Sequence, residues 1–556
     1  MAGAGAKRIK TRSVPAKPVN ADRVEIALVG YQDQGNLGLG YLAAVVERRG
    51  WNATLYDIRD GGEELLRKLE LRPPLIIGFS LIFQFFLPRY RELAQFLRSS
   101  GVEAHFTIGG HYPSLCYEEL LGHFPEIDSV VLFEGEETLI ELAERLRDGA
   151  QWKNVPGIAY KGNDGAAVTT DARTLVPDLD DLPFPKRPYE AERIVGYPTL
   201  PVLASRGCIR RCSFCSIHTF YRTAPGRVVR VRKPEKVVEE MLELRETHDV
   251  RVFLFQDDDF PLWGSKGRRW ADDLTTRLHA SGLARDTIFK ISCRAEYVEP
   301  DLFGGLRDAG LFLVYMGLES GVEGGLDILF KQTSVEQNIH AVETLKQLGI
   351  AWNYGFMLFD PSSTFASIRE NAAFLREIVG DGSTAAVFSR MLPYGGTPIR
   401  QTLEREGRLR GDLTHPDYVF LDPRINDYHR RLTIAVRPWI HNRGLSYSLA
   451  NSVDELETIA RLAPAAVGCG EYRSALRALT AESNERLLQL VERSSLAFER
   501  GDVGPLDPAP VADYCKKNLN RLDDLRHDFL TRNMDVLITS ITGAPTNHPV
   551  MMPQVH

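Results

Sequence analysis

The sequence predicts an α/β protein: an N-terminal doubly wound, Rossmann-like sheet, a central partial (β/α)6 TIM-like barrel and a C-terminal α-helical domain. Three observations predict this. From residue 24 to about 149, short apolar runs alternate with amphipathic helical stretches. The alternation returns six times between 199 and about 398, and beyond 400 the pattern is helical. Continuous apolar strands separated by helices imply parallel sheets buried on both faces. The expected boundaries are 1–22 tail, 23–150 first domain, 151–198 linker, 199–400 barrel, 401–545 helical domain and 546–556 tail.

Composition bounds the rest. A chain of 556 residues is long enough for two to four domains. It is 44% hydrophobic and 25% charged, as in ordinary globular proteins. A net charge of −7 argues against nucleic acid as the main partner. No apolar run approaches the roughly 20 residues of a membrane span, and no hydrophobic signal region opens the chain, so a cytoplasmic location is expected. Residues 1–20 hold five Lys/Arg and no acid, which reads as a solvated, disordered tail. Seven cysteines in so long a chain do not suggest a disulfide framework, and Cys116, Cys293, Cys469 and Cys515 are scattered.

In the first domain, strands are expected at 24–30, 53–58, 75–80, 104–109 and 129–133, with helices such as 39–49 and 90–99. Ligands bind such sheets outside the carboxyl ends of the strands. The loops there are Tyr31-Gln-Asp-Gln-Gly-Asn-Leu-Gly-Leu-Gly40, Gly109-Gly-His-Tyr-Pro-Ser114 and Glu134-Gly-Glu136. Their glycines allow close approach of backbone to a bulky ligand. Residues 151–198 lack periodicity, and the proline-punctuated run 177–188 reads as an extended connector.

The barrel opens with an apolar run, 200–204, followed by Ser205-Arg-Gly-Cys208-Ile-Arg-Arg-Cys212-Ser-Phe-Cys215-Ser-Ile-His218. Three thiols, four and three residues apart, are soft ligands for zinc or an iron–sulfur cluster. Three thiolates can hold three irons of a cubane, leaving the fourth iron to bind something else. The competing reading is zinc, with His218 completing a Cys3His set in a non-catalytic scaffold. Downstream come a helix at 234–248 and strands at 251–255, 287–292, 312–317, 351–358 and 385–392. Charged residues gather at strand ends: Asp257, Asp258 and Asp259, then Ser292-Cys-Arg294, then Gly317-Leu-Glu319. Three adjacent carboxylates repel unless cations or donors compensate. In the C-terminal part, Ser452-Val-Asp-Glu455 reads as a capping box opening a helix. Leu519, Leu522, Leu525 and Phe529 mark one face of another helix, and 418–424 and 437–439 read as core aromatics or a substrate pocket.

The C-x3-C-x2-C spacing, with Phe214 before the last cysteine, resembles the signature of the radical SAM enzymes. The three N-terminal loops resemble the cobalamin-binding domain of one branch of that family, so the whole is identified as a cobalamin-dependent radical SAM enzyme. The resemblance implies a [4Fe-4S] cluster on Cys208, Cys212 and Cys215. It implies S-adenosyl-L-methionine (SAM) held by Phe214, Asp257, Asp258, Ser292, Arg294 and Glu319. Cobalamin is implied at Asp33, Leu37, Gly38, Ser80, Gly109, Gly110, His111, Glu134, Gly135 and Glu136. Where relatives that ligate cobalt carry Asp-x-His, this chain has Asp33-Gln-Gly35, so no histidine from that loop is expected on the metal. The implied activity is transfer of a methyl group from methylcobalamin to an unactivated carbon of a small biosynthetic substrate. The alternative is ring formation, contraction or another rearrangement without methyl transfer. An external one-electron reductant of flavodoxin or ferredoxin type is the implied partner, with no nucleic acid and no membrane. One departure is Phe359-Asp360, where many relatives have Gly-x-Pro.

Overall fold

A computed structural model describes residues 24–32, 35–187, 191–502 and 506–542. The two expected tails, 1–22 and 546–556, lie outside these residues, and so does Asp33.

The first sheet has the order β2-β1-β3-β4-β5-β6-β7. Its strands are β1 Glu25–Gly30, β2 Asn52–Asp57, β3 Ile76–Ser80, β4 His105–Gly109, β5 Ser129–Val131, β6 Ile158–Lys161 and β7 Ala167–Thr169. The first five are parallel, as their apolar runs require. The chain leaves β1 toward β2 on one side and returns to β3 on the other. That reversal opens a crevice at the carboxyl ends of β1 and β3. Separate apolar clusters fill the two faces, one around Phe79, Phe106 and Ile108 and one around Ile26, Leu139 and Ile158.

The stretch 151–198 is not a plain linker. Strands β6 and β7 add an antiparallel hairpin to the first sheet. Near its other end, Glu192–Ile194 pairs antiparallel with Tyr197–Val202, the first barrel strand. Periodicity missed these strands because two are edges with a half-exposed or exposed face and only three residues each.

The barrel strands Tyr197–Val202, Val252–Phe255, Ile288–Cys293, Leu311–Glu319, Ala351–Phe359 and Ser389–Arg390 are parallel neighbours in that order. The sixth is far shorter than the expected 385–392. Its preceding backbone donors are taken by side chains: Ala386 N–H bonds Asn484 Oδ1 at 2.7 Å and Val387 N–H bonds the Tyr354 hydroxyl at 3.2 Å. The ladder therefore starts only where those bonds end.

The helices Pro423–Ile440, Leu445–Leu462, Cys469–Glu499, Pro508–Arg532 and Met534–Thr542 form the C-terminal domain. They share one continuous apolar core with the barrel. Ser452 does not open a helix; it lies inside Leu445–Leu462 and its hydroxyl donates to Ser448 O at 3.0 Å. The apolar face of that helix begins a full two turns earlier, at Leu445, and packing overrides the local capping pattern. Tyr418, Phe420 and Trp439 are core residues. Leu522 and Phe529 are buried on the last long helix, with Leu519 and Leu525 packed beside the core.

Candidate functional site

The carboxyl ends of the two sheets meet across one cavity of about 840 Å³. Its walls come from the loops after β1, β3, β4 and β5 and from the cysteine loop of the barrel. Its volume lies in the upper part of the range for small-molecule sites.

The N-terminal wall is built by backbone shape. Asn36 caps the helix Leu37–Arg48 by accepting from Leu39 N–H at 3.1 Å, which presents Leu37 and Gly38 to the cavity. Gly110 has φ +114°, and a Cβ there would lie 2.3 Å from Leu81 O. Only glycine fits that bend. Ser80, Gly109, Gly110, His111, Glu134, Gly135 and Glu136 all line the cavity as expected. Tyr41, Phe83, Phe86 and Tyr90 join them; sequence reasoning missed these, because they come from helices and turns rather than glycine motifs.

His111 is not free to approach a ligand broadly. Its ring packs on Phe220 with centroids 4.4 Å apart, and burial holds it below its ordinary pKa, hence neutral. Its Nε2 is buried without a partner among the described residues. Glu134 and Glu136 reach across to the barrel. Glu134 accepts from Arg206 at 2.9 Å, from Arg230 at 2.9 and 3.0 Å and from Val176 N–H at 2.7 Å. Glu136 pairs with Arg206 at 2.7 Å. The Glu-Gly-Glu loop thus clamps the two domains as well as lining the cavity. Neither arginine was singled out from sequence, because its partner lies about 70 to 100 residues away.

The cysteine loop leaves the first barrel strand through Gly207, at φ +90°, where a Cβ would meet Val228 O at 2.0 Å. Cys215 caps the helix Ser216–Thr223. Two donors address the sulfurs: Arg210 N–H lies 3.4 Å from Cys208 Sγ, and Arg294 Nη1 lies 3.5 Å from Cys212 Sγ. Burial pushes the Cys215 thiol up to about 12 and the Cys208 thiol well above its ordinary value. Three thiols, Cys212 buried and Cys208 and Cys215 half-buried, with cationic and amide donors beside them suit a cluster whose metal charge holds them as thiolates. Among the described residues, no three His, Cys, Asp or Glu side chains converge as a single-ion site requires.

The charged strand ends are largely engaged with one another. Asp257 accepts from Ala204 N–H at 3.2 Å and Ser205 Oγ at 2.6 Å, tying the loop to the second strand; burial raises it to about 7. Asp259 accepts from the Cys208 thiol at 3.7 Å and is likewise raised to about 7 by burial. Asp258 alone of the three lines the cavity, accepting from Gly207 N–H at 2.9 Å. Arg294 spends its guanidinium on Glu296, Lys331 O and Cys212. Glu319, at φ +66°, pairs with buried Lys331 at 3.0 Å. Ser292 ends the third strand half-buried, its carbonyl accepting from Phe260 N–H at 2.9 Å. The structure thus brings Phe214, Cys215 and Asp258 to the cavity with the N-terminal loops. Asp257 and Arg294 contact the cysteine loop instead, while Glu319 holds Lys331 and the Ser292 carbonyl accepts from Phe260. Asp360 accepts from Ser362 N–H at 2.8 Å in a local turn, so its departure from Gly-x-Pro is absorbed locally.

Comparison with known proteins agrees with this geometry. Residues 26–143 match the B12 binding domain model and residues 202–375 the radical SAM superfamily model. An uncharacterized methyltransferase of Pyrococcus horikoshii is 27% identical over 374 residues, 65% of this chain and 77% of that protein. The anaerobic magnesium-protoporphyrin IX monomethyl ester cyclase of Rubrivivax gelatinosus is 28% identical over 364 residues; the match covers 63% of each chain. The solved structure of the cobalamin-dependent SAM radical enzyme OxsB with aqua-cobalamin superposes with a TM-score of 0.65 at 18% identity, covering 94% of this chain and 84% of that one. The methyltransferase TsrM, from Kitasatospora setae, gives 0.57 at 19% identity over 69% of this chain and 75% of its own. With a B12 binding domain joined to a radical SAM domain across a shared cavity, this chain belongs to the cobalamin-dependent radical SAM enzymes, whose cofactors are a [4Fe-4S] cluster, SAM and cobalamin.

Proposed function

We propose that the chain transfers a methyl group to an unactivated carbon of a small biosynthetic molecule, drawing on an external one-electron reductant of flavodoxin or ferredoxin type in the cytoplasm. The observation that carries it is the single cavity in which Cys215, Phe214 and Asp258 face the loops after β1, β3 and β4. When bound, the cofactors supply one-electron cleavage of SAM and carriage of a methyl group.

The chain's own part is positioning and exclusion of water. Cys208, Cys212 and Cys215 would hold the cluster, with Arg210 N–H and Arg294 Nη1 donating to two of the sulfurs. Asp258 is the carboxylate left to accept from the SAM ammonium, while Asp257 and Glu319 fix the loop and Lys331 behind it. Leu37, Gly38, Ser80, Gly109 and Gly110 would hold cobalamin by shape. Arg206, bridging Glu134 and Glu136, keeps the two halves in register. Near-attack geometry of this kind is lost by displacements of about 1 Å.

Rearrangement without methyl transfer is the second reading. Relatives named as cyclases, and the 4'-phospho-dehydrooxetanocin synthase of Priestia megaterium, 23% identical, favour it. Product analysis decides between the two. Anaerobically reconstituted protein supplied with SAM and a reductant forms S-adenosylhomocysteine together with 5'-deoxyadenosine if it methylates. Turnover giving 5'-deoxyadenosine alone, with no methylated product, would transfer the assignment to rearrangement.

A further inference from the structure

The cysteine loop carries a charge pattern that neither cofactor explains. Between Ser205 and Lys233 there are eight Lys/Arg and no Asp or Glu, in a chain of net charge −7. Several of these cations are used internally: Arg206 and Arg230 pair with Glu134, Arg232 with Glu240 and Arg210 with Glu296. Arg211 and Arg222 are exposed and form no ion pair among the described residues. Both flank His218, whose pKa is lowered first by burial and further by these two cations. Arg222 Nη2 also donates to Ile209 O at 3.3 Å, which pins it to the outer side of the loop.

Apolar surface lies open beside these charges. Ile209 is 38% exposed, Ile328 39% and Phe330 47%. The two segments touch: Ser213 Oγ donates to Ile328 O at 2.8 Å and Ser213 N–H to Leu329 O at 2.9 Å. Phe330 is held outward in the left-handed region, at φ +47°, while the next residue, Lys331, turns inward to Glu319. A small apolar centre beside unpaired cations is the composition of a transient protein-docking face. A nucleic-acid surface would repeat the charge along the fold, which an acidic chain does not.

We propose that the face formed by Ile209, Arg211, Arg222, Ile328 and Phe330 docks an acidic one-electron carrier protein directly over the cysteine loop. This rests on the reading of Cys208, Cys212 and Cys215 as cluster ligands. In the step it serves, one electron leaves the carrier, oxidising it by one unit, and enters the cluster, reducing it by one unit; no bond or proton changes. The contact is of the small, weak class used by redox partners, so its strength rests on charge steering.

The test uses the full chain, an acidic flavodoxin as probe and the double variant Arg211→Glu/Arg222→Glu. Flavodoxin binding, followed by surface plasmon resonance, should weaken at least tenfold in the variant, and wild-type binding should weaken steeply between 50 and 500 mM salt as exposed charges are screened. Cluster reduction by flavodoxin, followed by stopped flow, should slow by a similar factor, whereas 5'-deoxyadenosine formation driven by dithionite stays at the wild-type level. Unchanged flavodoxin binding, salt-independent binding by wild type, or tighter binding of an oligonucleotide than of flavodoxin at this face would each overturn the proposal. If the double variant also loses dithionite-driven turnover, Phe330→Ser replaces it, judged by the same binding ratio. Failure of wild-type protein to cleave SAM with dithionite strikes instead at the cluster assignment.

Discussion

The two walls of the cavity are built on opposite principles. On the N-terminal side, glycines and aromatic rings shape a surface whose polar atoms are mostly satisfied elsewhere, as with Asn36 on Leu39 N–H. On the barrel side, charged strand ends satisfy one another around the cysteine loop: Asp257 with Ser205, Arg294 with Cys212, Glu319 with Lys331. The first wall can accept a large ligand by fit alone. The second is an electrostatic frame, sensitive to the loss of any one member because a buried charge without its partner is costly. Shape tolerates conservative change; a closed charge network does not.

The largest break in that contrast is at the thiols. Replacing Cys208, Cys212 or Cys215 by alanine should abolish reductive SAM cleavage, read as 5'-deoxyadenosine; a variant that keeps normal production refutes the ligand set. Next is the clamp joining the walls. Arg206→Met leaves Glu134 and Glu136 without one shared cation, while Arg230 still reaches Glu134. Removing one partner of a buried pair costs about 3–5 kcal/mol. Thermal unfolding should therefore begin markedly earlier than in wild type, and cobalamin retention should fall with it. An unchanged melting profile would mean that the two walls are held together by packing instead.

How much of this was legible depends on how local the determinant is. The helix Pro234–His248 and the parallel strands were readable because a proline start and continuous apolar runs act within a few residues. The cysteine loop and the glycine loops were readable for the same reason. Lys331 was not: it reaches Glu319 because Phe330 and Gln332 on either side adopt positive φ, +47° and +56°, which no spacing rule announces. Arg206 was not, since its partners Glu134 and Glu136 belong to another domain. The contacts that Asp257, Arg294 and Glu319 make were likewise not legible. Sequence placed them at strand ends, but only tertiary contacts decided that Asp257 and Arg294 meet the loop and Glu319 meets Lys331.

A smaller test sharpens the contrast on the shape-built wall. Gly110→Ala puts a methyl group against Leu81 O at a backbone angle that L-residues avoid. About 1–3 kcal/mol of strain is expected, spent by shifting the loop that carries His111. Cobalamin affinity should drop while iron content stays intact; a parallel loss of iron would show that the two walls are not independent.

The smallest effect concerns charge inside the barrel. Asp454, from the helix Leu445–Leu462, meets Asn353 of the fifth strand, whose Nδ2 lies 3.4 Å from both carboxylate oxygens. Burial raises it to about 7, with Glu455 and Glu457 adding to the rise and Lys290 of the third strand opposing it. A carboxyl whose folded pKa exceeds its unfolded value of 3.8 binds its proton more tightly when folded. Its stabilising contribution is full below about 4 and is lost as pH rises from there through about 7. Asp454→Asn removes that dependence, so the variant should match wild type near pH 4 and exceed it at pH 8, the attraction of Lys290 being already contained in the value of about 7. The check is the difference in melting temperature between variant and wild type at the two pH values. A gap of equal size at both would mean that the carboxyl keeps its charge throughout, and that Lys290 compensates it as fully as Lys331 compensates Glu319.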